Sequence, residues 1–218
     1  MEQKELYAKM EKYGVIPVIA IESPELALLL ADSLIEGGLP VAEITFRTQA
    51  GGEVIKILKK EKPEILLGAG TILSKDNLIH AYESGAEFGV APGFNQDIVE
   101  KAKLIGFPFF PGVMTPSEID SGVYAGIKIL KFFPSEASGG IAMLKAVSAP
   151  YAHLGIKYIP TGGININNLE DYLKFDRVLA VGGTWIAKKD MISQKRWDTI
   201  TENARQVTNL VSRIRGEK

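Results

Sequence analysis

Along Val41-Ala42-Glu43-Ile44-Thr45-Phe46-Arg47 the side chains divide by parity. Ala42, Ile44 and Phe46 form an apolar face, and Glu43, Thr45 and Arg47 form a polar one. Successive residues of a strand point to opposite sides, so the apolar face can pack beneath helices only if the polar face looks elsewhere. An edge strand with a solvated face satisfies the pattern, and so does a barrel strand whose polar face lines the interior near its mouth. The neighbouring segments leave no obvious antiparallel edge, which favours the barrel.

Outward from this stretch, short β-rich runs recur at Val15–Ile19, Ile65–Ala69, Phe88–Ala91, Phe107–Phe110, Ile127–Lys131, Lys157–Pro160 and Val178–Val181. With Val41–Phe46 they make eight, separated by amphipathic helical stretches. Pro24–Glu36 is one such stretch, with Leu26, Leu29, Leu30, Ser33 and Leu34 on one side, Ser23 as its N-cap and Gly37-Gly38 as its end. Ser74–Glu83 and Thr115–Tyr124 repeat the grammar. Strands alternating with helices imply a parallel sheet with helical crossovers. Eight units favour closure into a single (β/α)8 TIM barrel, residues 1–218 as one domain, and an open doubly wound sheet is the alternative. Met1–Lys12 reads as an extra N-terminal helix and Trp197–Arg215 as the last one.

Composition narrows the class. Of 218 residues 46% are hydrophobic and 23% charged, the balance of a folded globular chain. A net charge of −1 gives no electrostatic footprint for nucleic acid or an anionic membrane. The apolar runs are too short and too interrupted for a membrane span, and the charged start Met1–Leu6 is expected to be a helix rather than a signal peptide. Zero cysteines remove disulfides, thiolate metal sites and cysteine nucleophiles, and are compatible with a cytoplasmic location. His80 and His153 have no ligand spacing around them, so no metal is expected.

Chemistry is expected at the C-terminal ends of the strands. Lys131 lies in Ile127-Lys128-Ile129-Leu130-Lys131-Phe132-Phe133-Pro134, an apolar run in which an ammonium is costly to keep charged. A neutral amine there is a nucleophile able to form a Schiff base with a ketone, while the plain alternative is a lysine that snorkels to solvent from a strand end. With Glu43 and Arg47 converging on the same pocket, the trio suits an oxo acid. Arg47 would clamp the carboxylate, Lys131 attack the ketone and Glu43 move protons. Thr71, closing Gly68-Ala69-Gly70-Thr71, adds a hydroxyl at the third strand's end. The final strands close on Thr161-Gly162-Gly163 and Gly182-Gly183-Thr184, where paired glycines leading towards helices would offer backbone N–H groups to a phosphate.

Together these residues resemble the class I 2-dehydro-3-deoxy-6-phosphogluconate (KDPG) / 4-hydroxy-2-oxoglutarate (KHG) aldolase family. The resemblance runs from Val15-Ile16-Pro17-Val18-Ile19 to Gly182-Gly183-Thr184-Trp185. It rests on Glu43–Thr48, Gly68–Thr71, Ala91-Pro92-Gly93, Pro111–Thr115, Lys131–Glu136 and Pro160–Gly163. It implies that Lys131 is the Schiff-base lysine and Glu43 the general acid/base. Arg47 and Thr71 hold the pyruvate carboxylate, Pro92 and Phe133 form walls beside the imine, and Thr161 lies near the substrate hydroxyls. Gly162, Gly163, Gly183 and Thr184 form the phosphate site. The family further implies a cytoplasmic homotrimer without a cofactor, acting on a phosphorylated 2-oxo sugar acid with pyruvate as product. Thr184 stands where many relatives carry serine, and Ala20 where some carry arginine. Cleavage of 4-hydroxy-2-oxoglutarate or of 2-dehydro-3-deoxy-6-phosphogalactonate is an alternative activity. A barrel isomerase or synthase of another family and a non-catalytic sugar-phosphate-binding or assembly subunit are the rivals.

Overall fold

A computed structural model describes residues 2–216. Nine short strands, β1 (Val15–Ile19), β2 (Val41–Thr45), β3 (Leu66–Gly70), β4 (Phe88–Val90), β5 (Phe109–Phe110), β6 (Gly112–Val113), β7 (Ile129–Phe132), β8 (Lys157–Pro160) and β9 (Val181–Gly183), form two all-parallel sheets. The six-stranded sheet runs β5-β4-β3-β2-β1-β9 and the three-stranded sheet β6-β7-β8. All but one of the strand residues are buried, as parallel strands covered on both faces must be.

Proline explains how the sheets meet on one side. The expected fifth strand Phe107–Phe110 is shorter, only β5, and because Pro111 has no N–H to give a ladder a separate strand, β6, follows on its other side. β5 pairs with β4 and β6 with β7, while the Pro111 carbonyl accepts from the Lys131 N–H at 2.9 Å. On the other side, bridges join Tyr158 to Val178 and Thr161 to Gly182. The expected eighth strand Val178–Val181 therefore begins later, as β9, because only an isolated bridge reaches Val178.

The helices are α1 (Gln3–Tyr13), α2 (Ala27–Glu36), α3 (Gly51–Glu61), α4 (Lys75–Glu83), α5 (Gln96–Leu104), α6 (Pro116–Tyr124), α7 (Gly140–Ser148), α8 (Leu169–Leu173), α9 (Lys189–Ser193) and α10 (Trp197–Arg215). Among the described residues no helix is long and apolar enough to cross a membrane. Caps fix the entries: Ser74 accepts from the Asn77 N–H, and Thr115 and Glu118 form a reciprocal capping box at α6. Ser23 makes no such bond. The chain after it forms a 3-10 turn over Pro24–Leu26 before α2 begins, and α2 buries Ala27, Leu30, Ala31, Ser33 and Leu34 while Leu29 is 46% exposed rather than in the core. The predicted helix start at Met1 lies outside the described residues.

Helices at the two ends of the chain meet each other, α1 lying against β1 and α10 alongside α2. α1 buries Leu6 and Met10, and α10 buries Ile200, Ala204, Val207 and Val211 at helical spacing. Arg215 ties them together, donating to the carbonyls of Glu11 at 2.6 Å, Leu179 at 2.8 Å and Val178 at 2.9 Å. Burial holds its guanidinium below the ordinary value. Arg215→Met should therefore cost about 2 kcal/mol in urea unfolding, since it strips one charged donor from three carbonyls. A loss under about 0.5 kcal/mol, the size of an ordinary surface change, would contradict this role.

Candidate active site

Glu43 on β2 and Lys131 on β7 point into the space between the two sheets. They are 2% and 5% exposed, and Glu43 Oε1 stands 3.9 Å from Lys131 Nζ. No hydrogen bond reaches Glu43 Oε1 from the described residues. At this separation the two charges attract strongly, but the distance exceeds a direct hydrogen bond and suits a pair that shares a third group.

Missing side chains make the room. A Cβ at Gly70 would fall 2.1 Å from Glu43 Oε1, and one at Gly68 would fall 2.1 Å from the Phe88 ring. The rings of Phe88 and Phe110 lie 5.8 Å apart, and Tyr7 of α1 packs on Phe110 at 6.2 Å, so an aromatic column runs from Gly68 to α1. Across β7, Gly112 pairs with Lys131, and a Cβ there would strike the Pro92 carbonyl oxygen at 2.1 Å. Pro92 is thereby held close to the neighbour of the lysine.

The other predicted residues sit at the same, C-terminal ends of the strands. Arg47 lies in the turn after β2 and is exposed, so the strand parity that placed it beside Glu43 ends at Thr45. The buried Thr45 spends its hydroxyl on the Ile19 carbonyl at 3.0 Å. Thr71 directly follows β3 with φ of +60°, a conformation that a β-branched residue adopts only when its surroundings impose it. Phe133 lies beyond β7, its ring centre 5.2 Å from Lys131 Nζ and its edge 3.5 Å from where a Gly162 Cβ would stand. It links the lysine to the glycine turn.

Thr161 is two residues beyond Ile159, the β8 partner of Lys131, and hence on the lysine's face. A Cβ on Gly182 would meet its hydroxyl at 2.2 Å. Gly162 and Gly163 have φ of +104° and +81°, values that favour glycine. Among the described residues no carbonyl accepts from the N–H groups of Gly162, Gly163 or Thr184. The glycine pairs do not open helices, contrary to expectation: α8 and α9 are five-residue turns that begin only at Leu169 and Lys189. Any anion held here would be held by loop amides, without a helix dipole.

One feature escaped the sequence reading. Ser135, Glu136 and Tyr172 form a connected cluster, with Tyr172 donating to Glu136 and lying 2.8 Å from Ser135 Oγ. Burial first, then the bond to Glu136, push the Tyr172 phenol well above its ordinary range, so it remains a donor. His80 packs edge-on against Phe46 at 5.3 Å and fills the space left by Gly52, a structural role. Among the described residues no three histidine or acidic side chains gather as a metal set.

Known proteins resemble this chain in sequence and in fold. A family described as KDPG and KHG aldolase matches residues 6–203. A 2-dehydro-3-deoxy-phosphogluconate aldolase of Haemophilus influenzae is 41% identical over 208 residues, 95% of this chain and 97% of that protein. A KHG/KDPG aldolase of Escherichia coli is 38% identical over 88% of this chain and 89% of its own. The KDPG aldolase of Legionella pneumophila, solved with pyruvate captured as a covalent carbinolamine, superposes with a TM-score of 0.87 at 38% identity, covering 93% of this chain and 97% of that one.

The left-handed Thr71 gives a measurable consequence. Thr71→Gly should raise unfolding free energy by about 1 kcal/mol, because relief of the positive φ exceeds glycine's added chain entropy. A less stable glycine variant would show that Thr71 is not strained.

Proposed function

The chain belongs to the KDPG and KHG aldolase family, a family of lyases, and from that premise we propose that it cleaves 2-dehydro-3-deoxy-6-phosphogluconate reversibly to pyruvate and glyceraldehyde 3-phosphate as a class I aldolase. The observation that carries this reading is the buried Glu43–Lys131 pair at 3.9 Å. In this reading Lys131 passes a proton to Glu43, directly or through a water, the freed amine adds to the C2 ketone, and Glu43 returns that proton to the carbinolamine hydroxyl, which leaves as water and gives a protonated imine. Glu43 removes the C4 hydroxyl proton, directly or through a water. The C3–C4 electrons flow into the imine nitrogen, releasing the aldehyde and leaving an enamine. Glu43 returns a proton to C3, and water hydrolyses the imine to free pyruvate and the lysine. The scheme draws on no cofactor.

Arg47 and Thr71 hold the pyruvate carboxylate in this account, Pro92 and Phe133 wall the imine, and Thr161 faces the sugar hydroxyls. The N–H groups of Gly162, Gly163, Gly183 and Thr184 receive the phosphate. What supports the cradle is the free amides of Gly162, Gly163 and Thr184 and the left-handed conformation of the first two.

The same reading includes closure of the two sheets into one (β/α)8 barrel, supported by Pro111 on one side and by the Tyr158–Val178 and Thr161–Gly182 bridges on the other. It also includes a cytoplasmic homotrimer, for which light scattering should return three times the chain mass.

Steady-state assays test the activity. The phosphorylated acid should exceed 4-hydroxy-2-oxoglutarate in kcat/KM by at least about tenfold, roughly 1.4 kcal/mol of transition-state binding from a group remote from the breaking bond. Equal efficiency would refute the phosphate cradle and favour the hydroxy-oxoglutarate activity. Glu43→Gln should lower turnover by about 10²–10⁴-fold, and near-normal turnover would remove Glu43 from the proton-transfer role.

A further inference from the structure

The loop after β7 is laced to the loop after β8. The Ser135 N–H donates to the Thr161 carbonyl at 2.8 Å, and the Glu136 N–H to the Gly162 carbonyl at 3.0 Å. Glu136 then lies directly over the next residue: a Cβ at Gly163 would stand 2.6 Å from Glu136 Cβ and 2.8 Å from its Cγ. A carboxylate is thus carried beside the very amides that the preceding reading assigns to a phosphate, where free movement would oppose a second negative group.

Its carboxyl end is not free. Tyr172, 1% exposed, donates its hydroxyl to Glu136 Oε1, and the fully buried Ser135 Oγ lies 2.8 Å from the same hydroxyl. Glu136 Oε1 also stands 3.0 Å from where a Cβ on Gly140 would be, so the absence of a side chain at the start of α7 makes room for it there. One buried phenol therefore fixes where an otherwise exposed carboxylate points.

We propose that the Tyr172–Glu136 tether is a specificity device: it confines the Glu136 charge to the Tyr172 side and so keeps the Gly162–Gly163 turn receptive to the phosphorylated end of the substrate. Glu136 and Tyr172 are positioning residues, acting through the turn and touching no reacting atom. The proposal rests on the assignment of phosphate to this turn. It predicts a selective effect, since an unphosphorylated 2-oxo acid binds at Lys131 without reaching the turn.

The test measures KM and kcat of the full chain for 2-dehydro-3-deoxy-6-phosphogluconate and for 4-hydroxy-2-oxoglutarate in four proteins. Tyr172→Phe removes only the hydroxyl, and should raise KM for the phosphorylated acid about fivefold to tenfold, with kcat and both constants for 4-hydroxy-2-oxoglutarate changed less than about twofold. Glu136→Asp keeps the charge but shortens the reach, and should give the same selective rise from a surface loop that tolerates the change. Tyr172→Phe combined with Glu136→Gln removes the released charge and should bring KM back to within about twofold of the unmodified protein. A purely structural hydroxyl would show no such rescue, and that result overturns the proposal. So does an unchanged KM in both Tyr172→Phe and Glu136→Asp, or an equal loss on the two substrates. If the unmodified protein itself shows no preference for the phosphorylated acid, the phosphate assignment falls and the tether with it. A preference that is present but indifferent to both substitutions overturns the tether alone.

Discussion

Everything at the site depends on keeping a carboxylate and an amine 3.9 Å apart inside the sheets, both nearly fully buried. Removing two such charges from water costs several kcal/mol each, and their mutual attraction offsets this only where the surroundings hold them still. The surroundings do so by omission. Gly70 leaves the volume that Glu43 Oε1 occupies, and Gly112 lets the Pro92 carbonyl close over the strand beside Lys131. Any side chain at either glycine would displace one of the groups. The strands that carry the pair belong to different sheets, so the junction at Pro111, whose carbonyl accepts from the Lys131 N–H, is part of the same constraint.

A second constraint extends from the lysine to the glycine turn. Phe133 lies between Lys131 and Gly162, and the backbone of Ser135 and Glu136 pairs with that of Thr161 and Gly162. The segment that follows the reactive amine therefore also shapes the loop for the far end of the substrate. A ligand spanning both would have its two ends set by one short stretch of chain, the kind of positioning that turns remote binding energy into rate. Thr71, held at a left-handed φ just past β3, shows that local backbone comfort is given up at this rim.

Much of this was legible in the sequence, because it rests on local pattern. The bounds of β1, β8 and α10 follow from apolar runs with clear stops, and Glu43 and Lys131 stand out as charges in apolar strands. Errors arose where a non-local contact decides the outcome. Val178-Leu179-Ala180 are all buried and read as strand, yet only Val178 finds a bridge, and the ladder starts at Val181. Leu29 fits an apolar stripe, but the buried face of α2 is Ala27, Leu30, Ala31 and Leu34, and Leu29 lies outside it. Paired glycines suggested helix starts, whereas the chain makes turns first. The Tyr172–Glu136 contact was invisible because it joins residues 36 positions apart, and no periodicity reports such a meeting.

The central claim is that Lys131 is the covalent nucleophile. Incubation with pyruvate, reduction with borohydride and peptide mapping by mass spectrometry address it directly. The account predicts one reduced pyruvyl adduct, on Lys131, and none in Lys131→Met. An adduct on any other lysine, or an unlabelled protein that still cleaves the phosphorylated acid, would contradict it.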